Sequence, residues 1–88
     1  MAYAVIKRDG TYVRGELPEN VERDKFCIMC AAAYGAGLTA HREYGDEVEE
    51  VIIKGKKHDV IIGMVGNELL AVIGTKEDYE KIAKEIRA

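Results

Sequence analysis

RDKFCIMCAAAYGAGLTAHREY, residues 23–44, is the stretch that decides the fold of this chain. Its apolar residues recur at helical spacing, which predicts one long helix that ends at Gly45, with Asn20 or Asp24 as the N-cap. One predicted face carries Phe26, Met29, Cys30, Ala33, Gly37, Ala40 and Tyr44. Most of the remaining surface carries Ile28, Ala31, Ala32, Gly35, Ala36 and Thr39. Because a helix that is apolar nearly all round is buried on both sides, we expect this helix to be covered twice.

The composition limits the class of protein. The 88 residues are 48% hydrophobic and 33% charged with a net charge of −3, which predicts a single domain over residues 1–88 that does not bind nucleic acid. No apolar run approaches the roughly 18–20 residues that span a bilayer, and residues 1–10 lack a signal-peptide core. We therefore expect a cytoplasmic protein without a membrane partner. Serine and glutamine are absent while Glu and Lys are abundant, a bias typical of proteins from hot environments.

Two short strands are predicted before the helix, over residues 3–8 and 11–17, and Pro18 ends the second. The Asp9-Gly10 pair between them predicts a hairpin whose two-residue turn places both residues at positive φ.

Three more strands are predicted after the helix, over residues 48–54, 59–65 and 69–74. The last two are apolar on both faces, which indicates central strands covered on both sides. Thr75 then opens a capping box for a closing amphipathic helix over residues 76–87. The predicted class is α+β: a five-stranded antiparallel sheet in the element order ββ-α-βββ-α, with the long helix on one face and the C-terminal helix on the other.

These motifs resemble the Roadblock/dynein light chain family, including its MglB-like bacterial and archaeal members. The resemblance covers nearly the full length and rests on Arg8-Asp9-Gly10, Leu17-Pro18, the Ala/Gly-rich helix, the closing helix and the stretch VIIKGKKHDVIIGMVGNELLAVIGTK. It implies a profilin-like homodimer in which central helices pack antiparallel and edge strands pair. It also implies a regulator of small Ras-like GTPases, or an adaptor. Family members usually have a further helix before the first hairpin, whereas this sequence begins at the strand.

The small residues of the helix suggest where the second copy packs. Gly35 and Gly37 either let the helix lie close to its own sheet, or belong with their neighbours to a face that a second helix approaches closely; we favour the second interpretation. The predicted dimer interface consists of Ile28, Ala31, Ala32, Gly35, Ala36 and Thr39 together with Val51 and Ile53 of the edge strand.

Cys27 and Cys30 form the one motif with a known chemistry, since a C-x-x-C is a redox pair or half of a zinc site. A reactive pair needs its first thiol partly exposed at a helix N-terminus, whereas this pair lies about a turn inside the helix among apolar residues. Zinc would need two more ligands, and His41 and His58 lack ligand spacing. Packing in the core is the favoured interpretation.

We therefore predict no catalytic, cofactor-binding or metal-binding residue, because serine is absent and no glycine-rich loop opens a helix. The predicted function is a non-enzymatic homodimeric regulator or adaptor that binds a small Ras-like GTPase. Two alternatives stay open: a small-ligand sensor of profilin-like fold, which needs a cavity with convergent polar groups, and a redox protein that uses Cys27 and Cys30.

Overall fold

A computed structural model of the chain describes residues 1–87. Its elements are β1 (Ala2–Ile6), β2 (Tyr12–Glu16), α1 (Arg23–Arg42), β3 (Glu50–Ile53), β4 (Val60–Val65), β5 (Glu68–Ile73) and α2 (Lys76–Arg87). The five strands form one antiparallel sheet in the order β2-β1-β5-β4-β3, so that β2 and β3 are the edges. Helix α1 covers one face and α2 covers the other, which confirms the predicted fold class and element order.

The inner strands are buried on both faces because successive side chains of a strand point in opposite directions. In β4, Ile62 packs beneath α1 while its neighbour Ile61 packs beneath α2. In β5, Leu69 lies on the α1 side and Leu70 on the α2 side, and both are fully buried. The prediction of central strands covered on both sides is confirmed.

The hairpin between β1 and β2 is present, but the predicted turn geometry is wrong. Only Gly10 has a positive φ, +96°, and no non-glycine residue among residues 1–87 does. The Gly10 N–H donates to the Lys7 carbonyl at 2.9 Å, and the Lys7 N–H donates to the Thr11 carbonyl at 2.8 Å. The Asp9 carboxylate accepts a hydrogen bond from the Thr11 N–H, which stabilises a three-residue loop in which glycine alone supplies the left-handed conformation.

Both predicted N-caps of α1 are wrong. The helix begins after Glu22, whose extended backbone is followed by the first turn and whose side chain makes no capping hydrogen bond. Asp24 lies within the first turn instead, where its negative charge complements the helix dipole. Asn20 precedes the cap and belongs to the turn after β2.

The C-terminus of α1 is close to its predicted place. The helix ends at Arg42, two residues before the predicted end at residue 44, and Gly45 follows with φ +76°. The Asp46 N–H donates to the His41 carbonyl at 2.9 Å, so the left-handed glycine folds the chain back over the last turn.

The buried face of α1 differs from the predicted one. The residues that are fully buried against the sheet are Cys27, Cys30 and Tyr34. Of the face predicted from the sequence, Phe26, Ala33 and Gly37 are half-buried, whereas Met29, Ala40 and Tyr44 are exposed. The spacing of the three buried residues is helical, so the error is a rotation of the face and not of the periodicity.

Helix α2 matches its prediction. The Thr75 hydroxyl accepts a hydrogen bond from the Asp78 N–H at 3.1 Å, and the Asp78 carboxylate accepts one from the Thr75 N–H at 3.0 Å. These reciprocal bonds form the expected capping box. Tyr79, Ile82 and Ala83 face the sheet and are buried. Neither helix within residues 1–87 is long and apolar enough to cross a membrane.

Candidate interaction surface

The side of α1 that points away from the sheet is apolar and uncovered. Ile28 is 53% exposed and Met29 is 55% exposed. Four smaller residues extend this exposed strip toward the end of the helix. We call the strip the α1 outer surface; its members are Ile28, Met29, Ala32, Ala36, Thr39 and Ala40. Exposed apolar residues that form one continuous strip are typical of interaction sites.

One flank of α1 faces the hairpin formed by β1 and β2. A Cβ placed on Gly10 would lie 3.1 Å from Ile28 Cα, so the hairpin glycine allows close contact with the helix. Ala31 and Gly35 are half-buried on this flank and line a shallow groove with Arg8. A Cβ placed on Gly35 would meet nothing within 4 Å. Gly35 is therefore not required for α1 to approach its own sheet.

The opposite flank of α1 approaches the edge strand β3. A Cβ placed on Gly37 would lie 2.7 Å from Val51 Cγ2. Val51 is half-buried and packs against the core beneath α1. The two alternatives drawn from the sequence are thus divided between the glycines: Gly37 serves contact with the chain's own sheet, and Gly35 does not.

Strand β3 presents a second apolar surface. Ile52 and Ile53 are 47% and 46% exposed although they lie in a strand. β3 pairs only with β4, so its other edge is free of strand partners within residues 1–87. An apolar edge strand of this kind is a template for pairing with another chain.

The predicted interface residues fall into three groups. Ile28, Ala32, Ala36 and Thr39 lie together on the α1 outer surface. Ala31 and Gly35 lie on the flank toward the hairpin, and Val51 and Ile53 lie on β3. The structure adds three exposed residues that the sequence reasoning did not include, namely Met29, Ala40 and Ile52. The signal for Ile52 was its place between two predicted members of the same edge strand.

Cys27 and Cys30 lie on the opposite side of α1, within the core. Both thiols are free and buried. Burial, with the neighbouring Cys27 adding to it, raises the pKa of Cys30 to about 12. Burial also raises the pKa of Cys27, and the Asp24 charge acts in the same direction. Because the thiolate is the reactive form, this arrangement suits packing and not redox chemistry.

An open groove runs between α2 and the start of β3. Its floor includes Tyr34, Met64 and Tyr79, and its rim carries charged side chains of both signs. Desolvation raises the pKa of the Tyr79 phenol to about 12, with the Glu50 charge adding to the shift. Glu50 forms an ion pair with Lys76 at 3.5 Å. Within residues 1–87 no three acidic, cysteine or histidine side chains are grouped to hold a metal ion.

Comparison with known proteins places the fold among relatives. The sequence model of the Roadblock/LC7 domain matches residues 2–75. The Roadblock/LC7 domain from Streptomyces avermitilis superposes with a TM-score of 0.78 at 18% identity, over 96% of this chain and 73% of that chain. MglB of Myxococcus xanthus gives 0.82 at 15% identity, over 98% and 79%. MglB in a tetrameric arrangement gives 0.81 at 17% identity, over 99% and 74%.

Comparison with curated proteins finds no sequence match. The structural likenesses, all at low sequence identity, show a shared fold, and the family match extends from β1 to the capping residue of α2. The chain therefore belongs to the Roadblock/LC7 domain family.

Proposed function

We propose that this chain is a non-enzymatic, homodimeric regulator or adaptor of the cytosol that binds a small Ras-like GTPase. The observation that carries the homodimer is the α1 outer surface, which the chain leaves uncovered while it covers the equivalent side of no other element with apolar residues. In α2 the outward residues are all charged, namely Glu77, Glu80, Lys81, Lys84, Glu85 and Arg87.

The energetics favour a second copy as the cover. Ile28 and Met29 are each about half exposed, so covering either side chain stabilises by about 1 kcal/mol. In a twofold dimer each contact occurs twice, because the same patch is used by both copies. The small residues between Ile28 and Ala40 then let two helix backbones approach closely, which adds packing contacts along the whole strip.

Strand β3 extends the proposed interface. Pairing β3 with the same strand of a second copy gives its free backbone groups partners and covers Ile52 and Ile53. The proposed interface thus contains Ile28, Ala32, Ala36, Thr39, Val51 and Ile53 with the added residues Met29, Ala40 and Ile52. Ala31 and Gly35, which face the hairpin, stand at its margin.

Membership of the Roadblock/LC7 domain family supports the GTPase partner. The same membership, together with the buried thiols, supports a binding role over an enzymatic one. The small-ligand and redox alternatives find no comparable support, since the groove beside α2 is open and the thiols are held protonated.

Two measurements test the proposal in sequence. Size-exclusion chromatography with light scattering at micromolar concentration is expected to give the mass of a dimer, and a persistent monomer would contradict the homodimer. A Ras-like GTPase from the source organism is then titrated against the protein after loading with GDP or with a non-hydrolysable GTP analogue. We expect binding that depends on the nucleotide, and no binding in either state would contradict the GTPase partner.

A further inference from the structure

We infer that the α1 outer surface fixes the direction and the register of self-association: the second copy lies antiparallel, with Lys25 opposite the partner's Glu43 and Met29 opposite the partner's Thr39 and Ala40. This inference rests on the proposed homodimer and adds to it which residues meet. Two independent properties of the surface, its terminal charges and its distribution of side-chain size, lead to the same arrangement.

The charges mark the two ends of the surface. Lys25 and Glu43 are both exposed and lie about five helical turns apart, so they share one side of the helix with Ala32 and Ala36 between them. Glu43 keeps a helical backbone at the C-cap, which holds it in line with the strip. Within residues 1–87 neither charge takes part in an ion pair. Antiparallel packing gives each a partner of opposite sign, whereas parallel packing places like charges together.

Side-chain size changes along the same strip. The N-terminal half carries the large residues Ile28 and Met29, and the C-terminal half carries the small residues Thr39 and Ala40. In an antiparallel pair the large half of each copy packs against the small half of the other, which fills the space evenly. A parallel pair would crowd Met29 against its own copy and leave a gap at Ala40.

All the resulting pairs share one centre. Lys25 with the partner's Glu43, Met29 with the partner's Thr39, and Ala32 with the partner's Ala36 are each symmetric about the position of Tyr34. One twofold axis near the middle of α1 therefore satisfies the charge pairs and the size pairs together.

Disulfide formation between separately prepared Met29→Cys and Ala40→Cys proteins tests direction and register. We expect a linked dimer only when the two variants are mixed under mild oxidation. Like positions on antiparallel helices in this register lie roughly 15 Å apart along the axis, beyond the ~7 Å that a disulfide bridges between Cα atoms. The unmodified protein is the control, since Cys27 and Cys30 are buried.

The other outcomes separate the inference from the homodimer. Linkage of each variant to itself but not in the mixture would show a parallel pair and overturn the inference. A dimer by light scattering without linkage in the mixture would overturn the register and leave the homodimer standing. A monomer by light scattering would overturn both.

Charge reversal gives a second, thermodynamic test. Lys25→Glu or Glu43→Lys alone is expected to raise the dimer dissociation constant about tenfold at low salt, because each creates two repulsive contacts. The double variant, and an equimolar mixture of the two single variants, should return to within about twofold of the original value, since each restores opposite charges across the interface. Single variants that bind as tightly as the original protein would overturn the charge pairing.

Discussion

The two helices of this protein cover opposite faces of one sheet, yet they differ in what they present to solvent. The inner side of α2 buries Tyr79, Ile82 and Ala83, and its outer side is charged throughout. The inner side of α1 is as well buried, but its outer side carries exposed Ile28 and Met29. The difference teaches that a single chain completes the α2 side of the fold and leaves the α1 side for a partner.

The largest expected effect comes from breaking the side that the chain completes by itself. Ile82→Ala removes a nearly fully buried side chain between α2 and the sheet. We expect the free energy of unfolding to fall by about 3 kcal/mol, through lost burial and the cavity that remains. Urea unfolding followed by circular dichroism measures it.

The matched control is Lys84→Ala, which changes an exposed residue of the same helix and should alter stability by less than about 0.5 kcal/mol. The Ile82→Ala loss should also persist at dilutions where any dimer dissociates. A loss that disappears on dilution would show that α2, too, is stabilised by self-association.

Met29→Glu tests the side that the chain leaves open. A carboxylate at the centre of an apolar contact is desolvated twice in a symmetric dimer, so we expect the dimer dissociation constant to rise on the order of 100-fold. The stability of the dilute monomer should hardly change, because Met29 contacts solvent there. Analytical ultracentrifugation gives the constant, and Lys84→Glu adds the same charge on α2 as the control. If Met29→Glu lowers monomer stability as much as Ile82→Ala does, the contrast between the helices fails.

The contrast also explains what the sequence could and could not predict. In β4 and β5 both faces are buried by large aliphatic residues, and the Thr75 to Asp78 capping signal is local, so strands, order and α2 follow from the pattern. In α1 most residues are alanine, glycine or cysteine, whose burial differs little in free energy between one face and the next. The orientation of α1 is decided by Tyr34, which packs against the sheet, and this choice is not visible in the spacing alone.

The candidate interface shows the same limit. The sequence predicted that α1 has an uncovered side and correctly included Ile28, Ala32 and Ala36 among the exposed residues. It placed Met29 on the buried face, because Met29 and Cys30 are adjacent and equally apolar in the pattern. Only tertiary contacts separate them: Cys30 lies in the core while Met29 points to solvent. The GTPase partner follows from family membership and not from any group in the site.

The pH dependence of stability tests how dry the inner side of α1 is. The pKa of Cys30 rises from 9.0 to about 12 on folding, so the neutral thiol stabilises the fold fully below pH 9 and this contribution is lost between pH 9 and pH 12. Between pH 8 and pH 10.5 the free energy of unfolding should fall by about 2 kcal/mol through this group.

Cys30→Ala isolates this contribution, because the variant lacks the thiol and should lose less stability over the same pH range. Urea unfolding of both proteins at the two pH values gives the comparison. Tyr79, whose pKa also rises to about 12, contributes equally to both proteins and cancels. Identical pH profiles for the two proteins would mean that the thiol is hydrated in the folded state.

The smallest effect separates the two glycines of α1. Gly35→Ala is expected to raise the free energy of unfolding by about 0.5–1 kcal/mol, because alanine favours the helix and its methyl group meets open space. Gly37→Ala should lower it by about 1 kcal/mol despite the same gain in helix propensity, since its methyl group meets the stiff side chain of Val51. Thermal unfolding of both variants measures the difference.

Val51→Ala in the Gly37→Ala background supplies the control, because removing the Val51 methyl groups should relieve the contact and make the effect of Gly37→Ala favourable, as at Gly35. Dimer dissociation constants of the Gly35→Ala variant should stay within about twofold of the original, since Gly35 lies on the flank that faces the hairpin. A marked loss of self-association in Gly35→Ala would instead place this flank in the centre of the interface. It would rotate the contact surface toward Ala31 and away from β3, so that helix packing and strand pairing could not share one twofold axis.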